Sequence, residues 1–459
     1  MPTLIKRLQA QGIVTRRAFH LLTTGGDWAA RLTDDARQNL KWFWFDGFFS
    51  SASDSVIGTY LVVFLLAIGA SQAHIGLLSS LSSLSAALML LPGAFLVERI
   101  GCRKEMCVIG GGIGSRLTIF FLALIPLVFT GQTLVYVAIA LAVLKDALGN
   151  LAFPAWMSLT GEIIPIEGRG RYFASRNFAM GMAGMTTTFL AGLILTRAAQ
   201  PGGYQITLLI AFFIGLFSTY SFWRIKDPCP RPVSAAIAAN PAANAPSARP
   251  AAPILSFADS LRDLRSQPQF LILLGTTAIW NMSINLAGPF FIAFLVQDLN
   301  ASNAIIGLTS IASTVAAMLV QRKIGQVNDR WGSHRLQVVA GLLIPFVPML
   351  WVFVTSAWHA IPLNILGGAL WGAFNLASFN YLLQMTPGEK RARYSAIFQM
   401  TVTLSLAAGA ALGSLLITNF GYQTIFLISG VGRLLAALLF AKFSHAEKPV
   451  IQEAVTTVA

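Results

Sequence analysis

Charged residues are scarce in this chain. They make up 11% of its 459 residues, against about 25% in a typical soluble domain. A soluble protein of this length could not cover its surface with so few charges, which excludes an ordinary cytosolic enzyme and a disordered chain. Cysteine is nearly absent. Cys102, Cys107 and Cys229 are the only three, without the spacing of a metal site or a disulfide framework, and they are read as reduced thiols. The five histidines, His20, His74, His334, His359 and His445, form no catalytic or metal constellation. No Walker-type phosphate loop and no nucleophile motif occurs, which argues against an ATP-driven pump. Gly110–Gly114 has the glycine density of a dinucleotide loop, but it sits in an apolar run with no preceding strand and reads as a site of close helix packing.

Apolar residues, by contrast, reach 55%, and mean hydropathy is +0.67. Runs of about 20 apolar residues cross a bilayer as helices. Twelve are expected, near 43–67, 74–97, 106–129, 133–158, 174–196, 205–224, 269–296, 304–324, 336–355, 359–384, 394–418 and 424–443. The fold class is therefore an all-α membrane protein. Its +14 net charge comes from topology. Of 32 Lys and Arg, 28 fall in the N-terminal segment, the loops after spans two, four, eight and ten, the segment between spans six and seven, and the tail. Only Arg197 falls in the opposite loops. This bias places both termini in the cytoplasm and sets the basic loops against anionic headgroups. Nucleic acid is not needed to explain the charge. Residues 1–40 are expected as an amphipathic segment on the membrane surface, with Leu4, Ile5, Leu8, Phe19 and Leu21 on its apolar side. Their Arg-rich, acid-poor start also admits a targeting peptide. Residues 225–268 read as an Ala/Pro-rich cytoplasmic linker, with a short surface helix at Leu255–Arg265, and 445–459 as a cytoplasmic tail.

The chain repeats itself. At an offset of 231, Ala70–Leu77 falls on Ala301–Leu308 and Glu98-Arg99-Ile100-Gly101 on Asp329-Arg330-Trp331-Gly332. At an offset of 222, Pro165–Tyr172 falls on Pro387–Tyr394. Two six-helix bundles, 41–224 and 269–444, follow from this duplication, parallel in the membrane because each has an even number of spans. The repeated loop motif resembles the signature of the major facilitator superfamily, Gly-x-x-x-Asp-Arg-x-Gly-Arg-Lys. The second half carries Gly325, Asp329, Arg330, Gly332 and Arg335; the first carries Glu98, Arg99, Gly101, Arg103 and Lys104, with its leading glycine displaced to Gly93. The resemblance implies two bundles around a central cavity lined by helices one, four, seven and ten, and alternating access. The family's helix-five antiporter pattern and its sugar-porter pattern are absent, so no substrate label carries over.

Ionisable residues inside the membrane each cost at least about 2.5–3.5 kcal/mol at a helix centre, so each needs a partner or a function. Asp46, Asp54, Arg116, Lys145, Asp146 and Arg433 are the six. Asp46, Ser50 and Asp54 share one face of span one, and the repeat sets Ser50 on Asn281 and Asp54 on Asn285. Span four adds Lys145, Asp146 and Asn150; span ten adds Trp371, Asn375 and Asn380. The substrate and proton-coupling set is therefore Asp46, Asp54, Lys145, Asp146, Asn150, Asn281, Asn285, Trp371 and Asn375. A static intramembrane ion pair is the alternative for these charges. Arg116 and Arg433, on helices peripheral in the resembling family, are expected to pair structurally or snorkel. Lys145–Gly149 is loosely similar to the family's proton-linked Arg-x-x-Gln-Gly pattern. The cytoplasmic gate is expected from the loop-motif residues together with Glu162, Arg169, Arg171, Gln384, Arg391 and Arg393, with Glu162 falling on Gln384 at the 222 offset.

The expected function is secondary active transport of a small organic solute, coupled to protons, by a monomer in the plasma membrane (the inner membrane of a bacterium). No cofactor or metal is expected, and the chain is not read as an enzyme. An uncoupled facilitator and a membrane sensor or assembly factor are the alternatives. The topology has a direct test. In a chain whose three cysteines are replaced by serine, Asn240→Cys should react with a membrane-impermeant maleimide only after cells are opened. Labelling of intact cells at that position would reverse the topology.

Overall fold

The computed structural model describes residues 22–100, 103–165, 168–226, 267–385 and 391–444. Residues 227–266 of the expected linker, including Leu255–Arg265, the expected tail and residues 1–21 lie outside them. Among the described residues every regular element is helical. The first long helix, α1 (Asp34–Ala67), starts nine residues before the apolar run. Thr33 Oγ1 accepts from Ala36 N at 3.3 Å, and Asp34 and Asp35 lie in the first turn, where the helix dipole favours negative charge. Ahead of α1, Thr23, Thr24 and Ala29 are buried, Ser175 donates to the Leu22 carbonyl, and the Trp28 ring covers Gly168. This part of the expected surface segment is therefore packed against protein.

The remaining helices are α2 (Gln72–Ile100), α3 (Arg103–Leu127), α4 (Gly131–Ile163), α5 (Arg169–Arg197), α6 (Gly202–Trp223), α7 (Pro268–Gln297), α8 (Asn303–Trp331), α9 (Ser333–Trp351), α10 (Ala360–Met385) and α11 (Arg391–Phe443). Eleven segments among the described residues are long and apolar enough to cross a membrane. The eleventh has 47 residues, about 70 Å of helix against a hydrocarbon core of about 30 Å. It breaks at Gly421, where φ is 73° and ψ 178°, a conformation open to glycine and strained for other residues. Two crossings joined at that glycine agree with the expected twelve. Large apolar side chains on the outside stay exposed, Leu88, Phe95, Leu319, Phe353 and Leu415 at 58–76%. Such a surface needs lipid.

The chain divides into two compact units. The first holds the described residues up to 226 together with Ile292–Ile311; the second holds 267–291 and Ala312 onward. In the first, α1 packs on α5 and α6, α2 on α4, and α3 on α4 and α6. Tyr60 accounts for the inclusion of Ile292–Ile311. Its hydroxyl donates to the Thr188 carbonyl at 3.0 Å and the Asn303 carbonyl at 3.2 Å, in a space that a Cβ at Gly192 or Gly307 would fill. In the second unit α11 packs on α7 and α9, and α9 on α10. There a Cβ at Gly409 would overlap the Met282 carbonyl, and one at Gly413 the Leu286 carbonyl. Small residues let membrane helices approach this closely. Gly409→Ala should therefore lower the thermal midpoint of the detergent-purified protein, at a cost of about 1–3 kcal/mol from overpacking. Gly275, with nothing within 4 Å of its Cβ position, is the control, and Gly275→Ala should leave the midpoint unchanged or raise it. Equal midpoints for the two variants would sink this account of the α7–α11 contact.

Candidate functional site

Helical spacing puts Asp46, Ser50 and Asp54 on one stripe of α1, and that stripe forms a wall of a cavity of about 430 Å³ inside the first unit. Asp54 is paired with Arg116 of α3, through Nη1 to Oδ1. Arg116 also donates to Ser53 Oγ at 3.2 Å and Ser50 Oγ at 3.1 Å, and Ser50 donates to Asp54 Oδ2 at 2.9 Å. The two partners are unequally enclosed: the Arg116 side chain is 7% exposed and that of Asp54 49%. The cation is thus fixed and the carboxylate opens on the cavity. Arg116 neither snorkels nor sits apart from the site, because α3 faces α4 and α6 and Gly215 of α6 leaves room for its side chain.

α3 reaches this position through a π-helical stretch, Cys107–Gly114, of the kind that often marks functional sites. Its glycines allow the approach. A Cβ on Gly112 would overlap the Thr219 side chain, and one on Gly111 would lie 3.1 Å from Ala152 Cβ. Close packing is the role read from the sequence for this run; the π winding had no signal there.

A second pair lies lower on the stripe. Arg176 Nη2 is 3.4 Å from Asp46 Oδ2, Ser218 donates to Asp46 Oδ1 at 2.8 Å, and Arg176 Nε donates to the Phe43 carbonyl at 3.1 Å. The guanidinium stands 4.3 Å from the Phe43 ring centroid, a cation–π contact, and occupies the space that a Cβ on Gly47 would need. Arg176, which falls by sequence among the 28 basic residues of the loops and segments, is therefore a buried cation of the bundle. Helix α5 begins at Arg169, which puts Arg176 about two turns inside it. Arg433, one of the six intramembrane charges expected from sequence, belongs to the second unit instead.

Lys145 and Asp146 of α4 also line the cavity and pair with each other at 2.7 Å. Asn150, one turn on, donates to the Asp146 carbonyl at 2.8 Å. Three carboxylates and three cations thus surround one space, so one added proton changes its net charge from zero to +1. At one end of this unit Arg103 of α3 forks onto Glu162 of α4 at 2.6 and 2.7 Å and reaches Ser158 at 3.1 Å. Arg169 donates to the carbonyls of Gly161 and Ile164 at 2.8 and 2.9 Å, capping α4. Lys104 is half-buried and Arg171 exposed. Arg330 and Arg335 are exposed on either side of Gly332, whose φ of 80° turns the chain from α8 into α9, and Gly325 is half-buried on α8. The side chains of Glu98, Arg99, Asp329, Gln384, Arg391 and Arg393 lie outside those described, as does Gly101 altogether.

Asn281, Asn375 and Trp371 line a different cavity, of about 220 Å³, inside the second unit. Trp280 and Phe374 face it too; sequence reasoning passed over them because apolar aromatics carry no periodic or repeat signal in a uniformly apolar helix. Asn285 donates to the Leu406 carbonyl at 2.8 Å, tying α7 to α11.

Similarity to known proteins agrees with this architecture. The sequence profile of the Major Facilitator Superfamily matches residues 43–292 and 273–457. The chain is 26% identical over 399 residues to the multi-drug resistance efflux pump PmrA of Streptococcus pneumoniae serotype 4, covering 85% of this chain and 92% of that protein. It is 23% identical over 437 residues to the putative multidrug resistance protein MdtD of Citrobacter koseri, covering 87% and 90%. Among solved structures, a point mutant of the nucleoside transporter NupG superposes with a TM-score of 0.65 at 13% identity, covering 87% of this chain and 99% of that one. A D-xylose–proton symporter gives 0.64 at 15%, covering 88% and 96%.

The Asp46–Arg176 pair yields a test of how the charges hold each other. Both side chains are nearly enclosed, at 10% and 6% exposure. Removing one partner of a buried pair costs about 3–5 kcal/mol, whereas replacing both with apolar groups is often neutral. Asp46→Leu alone should thus lower the thermal midpoint more than Asp46→Leu combined with Arg176→Met. Additive losses in the double variant would show that the two side chains are not coupled.

Proposed function

The chain belongs to the Major Facilitator Superfamily, and we propose that it is a secondary active transporter that exports a small amphipathic organic solute in exchange for protons. It is an integral membrane protein of a transporter family, not an enzyme. In this proposal it works by alternating access in the plasma membrane, with both termini in the cytoplasm and the basic loops against anionic headgroups. The direction is supported by the efflux pumps to which it is similar. The coupling is supported by one observation above the rest, a carboxylate held by a buried arginine yet open to a cavity inside a membrane-embedded bundle.

Asp54 is the proton site in this reading. Deprotonated, it neutralises Arg116 and accepts from Ser50. Protonated, it leaves Arg116 without a counter-charge in a low-dielectric space, which raises the free energy of the conformation that holds the pair closed. Lys145–Asp146 and Asp46–Arg176 surround the same cavity and set the field in which Asp54 titrates. Arg103–Glu162 stands at the cytoplasmic end. Glu162 is 61% exposed against 9% for Arg103, so the carboxylate can leave for water as the cycle opens this end.

Proteoliposomes test the coupling. With one proton exchanged per solute, a pH difference of one unit drives about tenfold accumulation. A panel of fluorescent aromatic dyes, offered with and without that gradient, should include compounds that accumulate by about this factor with wild-type protein. Asp54→Asn, assayed below its own thermal midpoint, should bring the dyes only to equilibrium. Equilibration without accumulation in wild type would make the protein an uncoupled facilitator. Undiminished gradient-driven accumulation in Asp54→Asn would remove Asp54 as the proton site.

A further inference from the structure

Arg433 is the one intramembrane cation among the described residues that the proton site does not use. It lies on α11 beyond Gly421 with 4% of its surface exposed. Its guanidinium makes one hydrogen bond among the described residues, from Nη2 to the Ile284 carbonyl at 3.4 Å, and its buried Nε makes none. The sequence accounts for the missing counter-charge. From 267 to 446 the acidic residues are Asp298, Asp329 and Glu389, all outside the apolar runs. The first unit pairs Arg116 and Arg176 with carboxylates; the second leaves Arg433 uncompensated, an arrangement that is costly unless an anion visits.

Arg433 adjoins the aromatic cavity of its unit. Ile284, whose carbonyl it touches, forms part of the wall, as do Ala436 and Ala437, one helical turn along from Arg433. The space of about 220 Å³ falls below the roughly 300–1,000 Å³ of sites for whole drug-sized ligands, but a dry cavity of about 150 Å³ holds benzene. It therefore suits one bicyclic ring. Trp280 stacks on Phe374 at 4.7 Å and 19°, and Trp371 meets Phe374 edge-on at 5.7 Å and 82°. Among the described residues no ionisable side chain lines the cavity, while the amides of Asn281, Asn375 and Gln399 do. Trp280 Nε1 and Gln337 Oε1, on two of the lining residues, are buried without partners. Aromatic faces alone would also attract an organic cation. An uncompensated guanidinium behind the wall opposes that cation and favours the opposite charge.

We propose that this cavity is a binding site for an aromatic organic anion, its ring held among Trp280, Trp371 and Phe374 and its carboxylate or sulfonate paired with Arg433. The guanidinium exchanges its 3.4 Å carbonyl contact for a charge-assisted pair with two parallel hydrogen bonds. This assignment rests on the reading of the chain as a solute transporter and names the class of solute.

Isothermal titration calorimetry on the full-length protein in detergent tests the site without requiring transport. Naphthalene-2-sulfonate should bind at least about tenfold more tightly than neutral 2-naphthol or cationic 2-naphthylmethylammonium. Arg433→Gln should erase that preference while leaving 2-naphthol binding unchanged. Should Arg433→Gln not fold, Trp371→Leu takes its place and should weaken sulfonate binding by about tenfold. Equal or tighter binding of the neutral or cationic probe overturns the proposal, as does a preference that survives Arg433→Gln, or sulfonate binding indifferent to Trp371→Leu. Sulfonate binding as expected, with no flux in proteoliposomes, would instead sink the transport reading and leave the site standing.

Discussion

The Asp54–Arg116 pair is the contact on which the first unit depends. A guanidinium 7% exposed within an apolar bundle is costly to keep charged unless an anion and polar oxygens meet it. Asp54, Ser50 and Ser53 supply both from a single face of α1. The backbone has to make room as well. Gly215 lets α6 pass beside Arg116, and the glycine-rich π stretch of α3 lets that helix come close to α4 and α6. Gly47 does the same for Arg176. Arg116 and Arg176 are thus each specified twice, by a carboxylate that neutralises the cation and by a glycine that admits it.

The two units descend from one repeated sequence, yet their cavities differ in kind. The duplication places Asp54 on Asn285 and Ser50 on Asn281. An amide at the first of these positions cannot hold a charge, and Asn285 instead donates to the Leu406 carbonyl on α11. Asn281 donates its amide nitrogen to the Thr277 carbonyl of its own helix and borders a space walled by aromatic rings. Among the described residues the first cavity is lined by six charged side chains and the second by none, so the two differ in charge well beyond this one position.

The sequence made the spans, the duplication and the family legible because a bilayer imposes a length and a hydropathy on every crossing. Asp54, Lys145 and Asp146 were legible for the same reason, since a charge in an apolar run stands out. Arg176 was not. It lies where loop and helix meet, and only the start of α5 at Arg169 shows that it is inside. Arg116 was recognised as intramembrane but set aside as peripheral. Its approach to Asp54 depends on the glycine contacts of α3 and α6, which leave no periodic mark. The early start of α1 was hidden for another reason: Thr33, Asp34 and Asp35 cap a helix well before its residues become apolar. Trp280 and Phe374 could not be separated from lipid-facing aromatics by composition alone.

Charge inventory also bears on direction. If a solute cation left as one proton entered, the exchange would be electroneutral and the membrane potential would contribute nothing. If an aromatic anion leaves as one proton enters, two elementary charges move inward in effect. An inside-negative potential then adds about 2.3 kcal/mol per charge for each 100 mV. For such an anion, export is downhill in voltage as well as in pH. The arrangement of charges suits that case: a carboxylate open to a cavity in one unit and, among the described residues, an arginine without a carboxylate partner beside an uncharged cavity in the other. With the proton at Asp54 and the anion at Arg433, as proposed, the two would not compete for one group. Their exchange would then be coupled through conformations that differ in how well Arg116 and Arg433 are neutralised, rather than by displacement at a shared site.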